Sequence, residues 1–335
     1  MSITALDIGT HSIKAVVAKN SSNPNISTAV IIPNKLGLVL PNSEQEVAQF
    51  TEMIANLLND YKLDQTDIRL SLPEYFVANK VIEIPYLTDA ELASAISWQA
   101  EQHIPIPKND LSLQYQVIER PAKKTPESKM KVLLVGSRRS ITEKINNIFL
   151  SLGIEPTVLE TQIFSVLRSL NIESTDPETL IVNMGANSTD FAVVSNGIFD
   201  FVVSSKNGGQ LLSNALAQSF NLDNKSAEEY KINYGLDAKQ LEGKLAKVMM
   251  PIIDNLSLEI QKSIRFFETN HSGQKIQRIV LSGGPAQLKG LAEEISNKLN
   301  KETLLAAPFA NAKGQIPDKN QLAYTTCMGL IAREL

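Results

Sequence analysis

Residues that staple or metallate a fold are scarce in this chain. Cys327 is its one cysteine in 335 residues, so no internal disulfide can form, and a reducing compartment is the default expectation. The three histidines, His11, His103 and His271, share no metal-ligand spacing, and no structural metal is expected. No apolar run approaches the roughly 20 residues of a membrane-spanning helix. The opening MSITALDIG lacks the basic start and long apolar region of a signal peptide. A cytoplasmic protein with no membrane segment of its own is therefore expected. Neither charge dominates: 32 Lys+Arg against 36 Asp+Glu leave a net −4, which argues against a general nucleic-acid binder. The densest basic stretch, with Arg120, Lys123, Lys124, Lys129 and Lys131, is interrupted by proline and reads as a solvated loop between strands.

What is present is an ordinary globular composition, 43% hydrophobic and 20% charged, in a length that suggests about two domains or one body split by a cleft. Ile3–Ile8 and Ile13–Ala18 are short β-branched runs joined by Gly9-Thr10-His11-Ser12, the pattern of a hairpin. The pattern returns about 175 residues later, by subtraction of the two turn positions, where Leu180–Met184 and Phe191–Ser195 flank Gly185-Ala186-Asn187-Ser188-Thr189-Asp190. Two related lobes, each opening on a hairpin, follow from that repeat.

Between the hairpins, Glu44–Tyr61 has helical spacing of Val47, Phe50, Ile54, Leu57 and Leu58, and Ile68–Leu72 reads as a strand. Leu87–Ile104 reads as a helix that Thr88-Asp89-Ala90-Glu91 can cap and Pro105 ends. Strands at Leu111–Glu119 and Lys131–Gly136 and a helix at Ser140–Leu152 complete a β-α-β-β-α run from about Val77 to Leu159, the size of a separate inserted unit. Past the second hairpin come a strand at Ile198–Ser204, a helix opened by Gly208-Gly209 and running through Phe220, and helical segments at Ser226–Asn233 and Leu241–Asn270. The last carries an apolar stripe from Leu245 to Ile264 that reads as core rather than as a coiled-coil seam. A strand at Ile276–Leu281, a helix at Ala286–Leu299 and a final helix at Thr325–Leu335 close the chain, with Cys327 read as core.

Three glycine-containing turns, each directly after a strand, are the chemically informative features. Small residues let backbone N–H groups approach a phosphate, and Ser or Thr hydroxyls add donors. Asp7, at the end of the first strand, is placed to hold a metal-bound water beside such a phosphate. Taken singly, each turn is equally a plain hairpin.

In order and spacing the turns go further. Asp7-Ile8-Gly9-Thr10-His11-Ser12-Ile13-Lys14 resembles the first phosphate loop of the actin-like ATPase superfamily, Asn183-Met184-Gly185-Ala186-Asn187-Ser188-Thr189-Asp190 its second, and Ile279-Val280-Leu281-Ser282-Gly283-Gly284 its adenosine loop. Asn207-Gly208-Gly209 and the segment from Ser226 to Gly235 resemble the FtsA branch, in which an Ala-Glu-x-x-Lys helix borders the adenosine; Glu228 and Lys231 are the matching positions. Leu87 to Leu92, the helix ending in Glu101-Gln102-His103-Ile104-Pro105-Ile106-Pro107, and Leu113 to Val117 are similar to the hallmark of the PilM family of type IV pilus assembly, as is the segment Ala323 to Ala332.

The resemblance implies an α/β, actin-like (ribonuclease H-like) two-lobed ATPase fold with an FtsA-type inserted subdomain. It implies a first lobe over 1–76, an inserted subdomain over 77–159, a connecting helix over 160–179, a second lobe over 180–322 with a helical part at about 223–275, and a returning helix over 323–335. It further implies ATP and Mg²⁺ as cofactors. Asp7, Gly9, Thr10, His11, Ser12, Lys14, Asn183, Gly185, Asn187, Ser188, Gly208, Gly209, Glu228, Lys231, Gly283 and Gly284 would bind the nucleotide, and Asp7 the metal through water. The implied partner is the N-terminal tail of a PilN-like inner-membrane protein, docked near the insertion, where Trp98 and Tyr115 are candidate contacts and Trp98 is equally a core residue. Pilus motor and platform proteins are implied as well, a homodimer is left open, and membrane association would come through partners.

Relatives usually begin the second phosphate loop with Asp, where this chain has Asn183. An amide brings no negative charge and cannot act as a base, so ATP binding with slow or absent hydrolysis is expected and no catalytic residue is assigned. An FtsA-like division filament and a small-molecule kinase using Asp190 as base are the alternatives.

Overall fold

The computed structural model describes residues 2–63, 67–125 and 127–334. Leu335, the last residue of the expected final helix, and Pro126 of the basic loop lie outside the described residues.

Two sheets of the same plan have central strands buried on both faces. In the first, β1 (Ser2–Ile8), β2 (Ser12–Lys19) and β3 (Asn25–Pro33) are antiparallel neighbours, and β4 (Ile68–Leu72) pairs parallel with β1. The inserted sheet follows in sequence with β5 (Val77–Pro85), β6 (Leu111–Glu119) and β7 (Lys129–Arg138), all antiparallel in the order β5-β7-β6. The first sheet then gains β8 (Val158–Thr161), parallel to β4. The second sheet is built from β9 (Thr179–Met184), β10 (Thr189–Ser195), β11 (Ile198–Ser205), β12 (Arg278–Ser282) and β13 (Glu302–Leu305). A two-residue strand, β14 (Lys313–Gly314), adds to the β3 edge.

The strand orders are β14-β3-β2-β1-β4-β8 and β11-β10-β9-β12-β13. Apart from β14, the second order repeats the first strand for strand, so the repeated hairpin is the visible end of a repeated lobe. This doubled strand order is the two-lobed plan that the actin-like resemblance of the sequence implies.

Helix α1 (Glu44–Asp60) starts at a capping box in which Ser43 accepts from the Glu46 N–H and the Glu46 side chain accepts from the Ser43 N–H. Helix α2 (Asp89–His103) starts the same way at Thr88 and Glu91, as the sequence indicates. Helix α3 (Arg139–Ser151) buries Ile145, Ile148 and Phe149 with Phe50, Ile54 and Leu57 of α1 in the first-sheet core. The expected insertion of 77–159 thus includes α3, which packs into the first sheet's core, and the first two residues of β8, a strand of that sheet. The inserted sheet forms its own core against α2, from Ile82, Leu92, Ile96, Met130 and Leu134. Its other face, through Leu133, packs against Ala192 and Phe199 of the second sheet.

Helix α4 (Gln162–Leu170) leads from β8 into the second lobe, where α5 (Gly209–Phe220), α6 (Asn224–Tyr234), α7 (Lys244–Asn270) and α8 (Leu291–Leu299) follow. The α7 stripe, Leu245, Met249, Ile253, Leu256, Ile260 and Ile264, is buried in that lobe's core, with Val248 and Ile252 partly buried beside it. Helix α9 (Thr325–Ile331) returns to the first sheet and crosses α4 so closely that a Cβ at Gly329 would overlap the Ser165 backbone. Buried Arg69 on β4 fixes the end of α9 by donating to the Leu330 carbonyl at 3.0 Å while pairing with Asp67 at 2.8 Å.

Several expected boundaries are corrected. Strand β3 occupies a stretch with no predicted element. The helix expected from Leu241 starts at Lys244, because Leu241 and Glu242 have positive φ. The one expected at Ala286–Leu299 is a 3-10 turn, Gly284–Gln287, then a helix only from Leu291, with Gly290 at φ 82° between them. The final helix stops at Ile331.

Candidate functional site

A cleft of about 270 Å³ opens between the two sheets, and every candidate residue except Gly208 lines it. Two matched turns form its centre. The Gly9 N–H donates to the Ser12 carbonyl at 3.0 Å, and the Gly185 N–H to the Ser188 carbonyl at 2.8 Å. A Cβ at either glycine would come within 3.1 Å or 3.0 Å of that same carbonyl. The turns meet across the cleft, where Asn187 Nδ2 donates to Thr10 Oγ1 at 3.0 Å. From behind, Asn34 Nδ2 holds the first turn through the Gly9 carbonyl at 2.8 Å.

The remaining glycines let backbone lie on backbone. The Gly209 and Gln210 N–H groups at the start of α5 donate to the carbonyls of Gly185 and Ala186 at 3.0 and 2.9 Å. A Cβ on Gly208 would overlap Ala186, which accounts for glycine just behind the cleft wall. Gly283 has φ 85°, and its Cβ would overlap the Met184 carbonyl. Gly284 is different, with its nearest neighbour for a Cβ at 3.7 Å.

Repetition of the fold places different charges at equivalent floor positions. Asp7 pairs in register with Lys14, and Asn183 with Asp190. Asp7 is buried; its Oδ1 accepts from Ser71 Oγ at 2.7 Å and Gln162 Nε2 at 2.6 Å, and Lys14 Nζ lies 3.2 Å from its Oδ2. In the second lobe the carboxylate is on the other strand of the hairpin. Burial pushes the Asp190 carboxyl up to about 6, against the opposing donors Ser204 and Asn183. Close by, Glu74 is buried in the 3-10 turn Glu74–Phe76, and burial together with the Asp190 charge pushes it well above the usual carboxylate range.

At the far end of the cleft, buried Lys231 donates to Glu228 Oε2 at 2.7 Å, to Ser213 Oγ at 2.9 Å and to the Gly209 carbonyl at 3.3 Å. Burial opposes ionisation of Glu228, and the Lys231 charge outweighs it, holding the carboxyl below its usual range. These two residues are thus tied into the cleft wall, beyond what an exposed helix pair would give. Cys327 is buried, its Sγ donating to the Lys14 carbonyl at 3.5 Å. Trp98 is 59% exposed and Tyr115 39% exposed, so neither is a core residue of the inserted unit.

Ser71, Glu74, Tyr75, Gln162 and Asn34 also belong to the site and are not among the residues to which the sequence points. No short-range signal marks them, because Ser71 reaches Asp7 across 64 positions of chain and Gln162 across 155.

Among the described residues no helix is long and apolar enough to cross a membrane. The chain superposes on the solved PilM-PilN type IV pilus biogenesis complex with a TM-score of 0.84 at 23% identity, covering 98% of this chain and 97% of that one. MreB 5 of Spiroplasma citri bound to AMPPNP matches with a TM-score of 0.56 at 12% identity, covering 98% and 94%. In sequence, the cell division protein FtsA of Pseudomonas aeruginosa is 23% identical over 201 residues, 54% of this chain. The chain spans about half, 47%, of that relative's length. The family described as type IV pilus assembly protein PilM matches residues 5–335, and the chain belongs to that family.

Proposed function

We propose that the chain is a cytoplasmic adaptor of the type IV pilus inner-membrane platform that binds ATP with Mg²⁺ in the cleft between its lobes. The observation that carries this reading is the pair of matched glycine turns, Gly9 to Ser12 and Gly185 to Ser188, facing each other with Asn187 bonded to Thr10. Turns of this kind cradle phosphates, because a Cβ-free backbone can approach the oxygens closely. The Gly9 and Gly185 turns line the cleft where a polyphosphate would lie, and the Glu228–Lys231 end would border the adenosine.

Asp7 is the residue that would hold Mg²⁺, through water. Mg²⁺ suits a site with one carboxylate, since it keeps waters and leans on phosphate oxygens. Bound there, the ion would neutralise phosphate charge. Ser71 and Gln162 fix the Asp7 carboxylate, and Lys14 supplies positive charge beside it. Neutral Asn183 offers no base, which favours ATP as a structural or switching ligand over rapid turnover.

The N-terminal tail of a PilN-like bitopic protein is the proposed partner, in a groove near the inserted unit, with exposed Trp98 and Tyr115 available as apolar contacts. The likeness to the PilM-PilN complex supports that choice of partner. Pilus motor and platform proteins would complete the assembly and bring the chain to the membrane.

Calorimetry with Mg-ATP, beside a phosphate-release assay, tests the nucleotide reading. Saturable binding with turnover below about 1 s⁻¹, the low edge of ordinary enzyme rates, is expected. Multiple turnover clearly above that rate would overturn the adaptor reading in favour of an enzyme, and absence of binding would remove the nucleotide.

A further inference from the structure

We infer that Tyr75 contacts the terminal phosphate of a bound nucleoside triphosphate, and that its turn makes the inserted unit respond to whether that phosphate is present. This rests on the nucleotide reading above and names the regulation of the same cleft.

Tyr75 follows β4 in the 3-10 turn Glu74–Phe76, whose next residue, Val77, opens the inserted sheet. Its side chain is 53% exposed and lines the cleft. Among the described residues the hydroxyl has no hydrogen-bond partner. The acceptors in the cleft floor already have donors: Ser71, Gln162 and Lys14 serve Asp7, and Ser204 serves Asp190. A phenol is protonated at neutral pH and so remains a donor; partial burial of the ring, then the charges of Asp190 and Asp7, push it further up, to about 12. A free donor at the Asp7 and Asp190 end is left for an outside acceptor. Tyr75 lines the same cleft as Glu228 and Lys231, so with adenosine at their end, as proposed above, the phosphate chain would point towards Tyr75.

The turn is also mechanically connected. Glu74 Oε1 accepts from the Ile163 N–H at 2.9 Å in the first turn of α4, and its Oε2 accepts from Asn79 Nδ2 at 2.8 Å on β5. The Tyr75 ring packs on Phe76 with centroids 4.4 Å apart, and Phe76 packs against the first-lobe core. A displacement of Tyr75 is therefore passed to β5 through Glu74 and its bond to Asn79, while Phe76 anchors the other side of the turn in the first-lobe core.

Tyr75→Phe removes only the hydroxyl of an exposed ring, so the fold should persist. Mg-ATP and Mg-ADP affinities are measured by calorimetry for both proteins, with amide exchange over Val77–Pro85 in each nucleotide state. The expected result is ATP affinity lowered about 10-fold, as for loss of a hydrogen bond to a charged group, ADP affinity changed less than about 2-fold, and ATP-specific protection of β5 lost. Equal losses for both nucleotides, unchanged affinities, or β5 exchange that does not distinguish ATP from ADP in the parent would overturn the inference while leaving nucleotide binding intact. A parent protein that binds neither nucleotide would overturn both.

Discussion

Asn187 in the second lobe donates to Thr10 in the first, Nδ2 to Oγ1 at 3.0 Å, and so ties the tips of the two hairpins across the cleft. The bond is exposed and joins neutral groups, so its net stabilisation is at most about 1 kcal/mol. Asn187→Ala is expected to shift stability by no more than that in denaturant titration, while lowering Mg-ATP affinity about 5-fold through loss of a phosphate-loop donor. A large stability loss with unchanged nucleotide affinity would make the contact structural.

Glycine is required at Gly283 and optional at its neighbour. Gly283→Ala must leave φ 85° or push the Met184 carbonyl away, whereas a methyl at Gly284 meets nothing nearer than 3.7 Å. Thermal melting should show Gly283→Ala destabilised by about 2 kcal/mol or more and Gly284→Ala within about 1 kcal/mol of the parent. Equal behaviour would contradict the close packing of the β12 turn on β9.

Asp190 makes a prediction in pH. Its folded value, about 6, lies above the 3.8 of the free side chain, so the folded state holds the proton more tightly. This group adds stability as pH falls from about 6 towards about 4, and its contribution is lost as pH rises through 6. Asp190→Asn abolishes that titration and relieves Glu74. The stability of the variant relative to the parent should therefore increase between about pH 4 and 6 and level off above, by on the order of 3 kcal/mol. A difference that stays flat from pH 4 to 7, followed by urea titration, would contradict burial as the cause.

Lys231 keeps Glu228 ionised at the other end of the cleft. Lys231→Met strips that carboxylate of its cation at 2.7 Å, and a loss of about 2 kcal/mol is expected at pH 7, reduced from the fully buried case because the Glu228 side chain is partly exposed. Glu228 has its pKa lowered on folding, so this stabilisation is present above its unfolded value and is lost as pH falls. Parent and variant should converge at acid pH. A constant gap would assign the loss to packing alone.

The lobes were legible because the hairpin pattern repeats with glycine turns at equivalent positions, and the α2 boundary because Thr88 and Glu91 encode a capping box locally. Cleft residues on those turns were legible for the same reason. Strand β3 carries the same local signal as the strands that the sequence predicts, a β-branched run bounded by Asn20-Ser21-Ser22-Asn23-Pro24 and Pro33-Asn34, so nothing in the sequence hides it. The α8 start lies later than the sequence predicts because Ala286 and Gln287 suit a helix, while positive φ at Gly290 breaks it. Gln162, Ser71 and Tyr75 enter the site only through the pairing of β1 with β4 and the docking of α4, which no local pattern reveals.

Titration of the protein with a labelled peptide from the N-terminal tail of a PilN-like partner, with and without Mg-ATP, bears most directly on the adaptor reading. Saturable binding whose affinity shifts with nucleotide is predicted, as coupling between groove and cleft requires. No binding in either condition would contradict it.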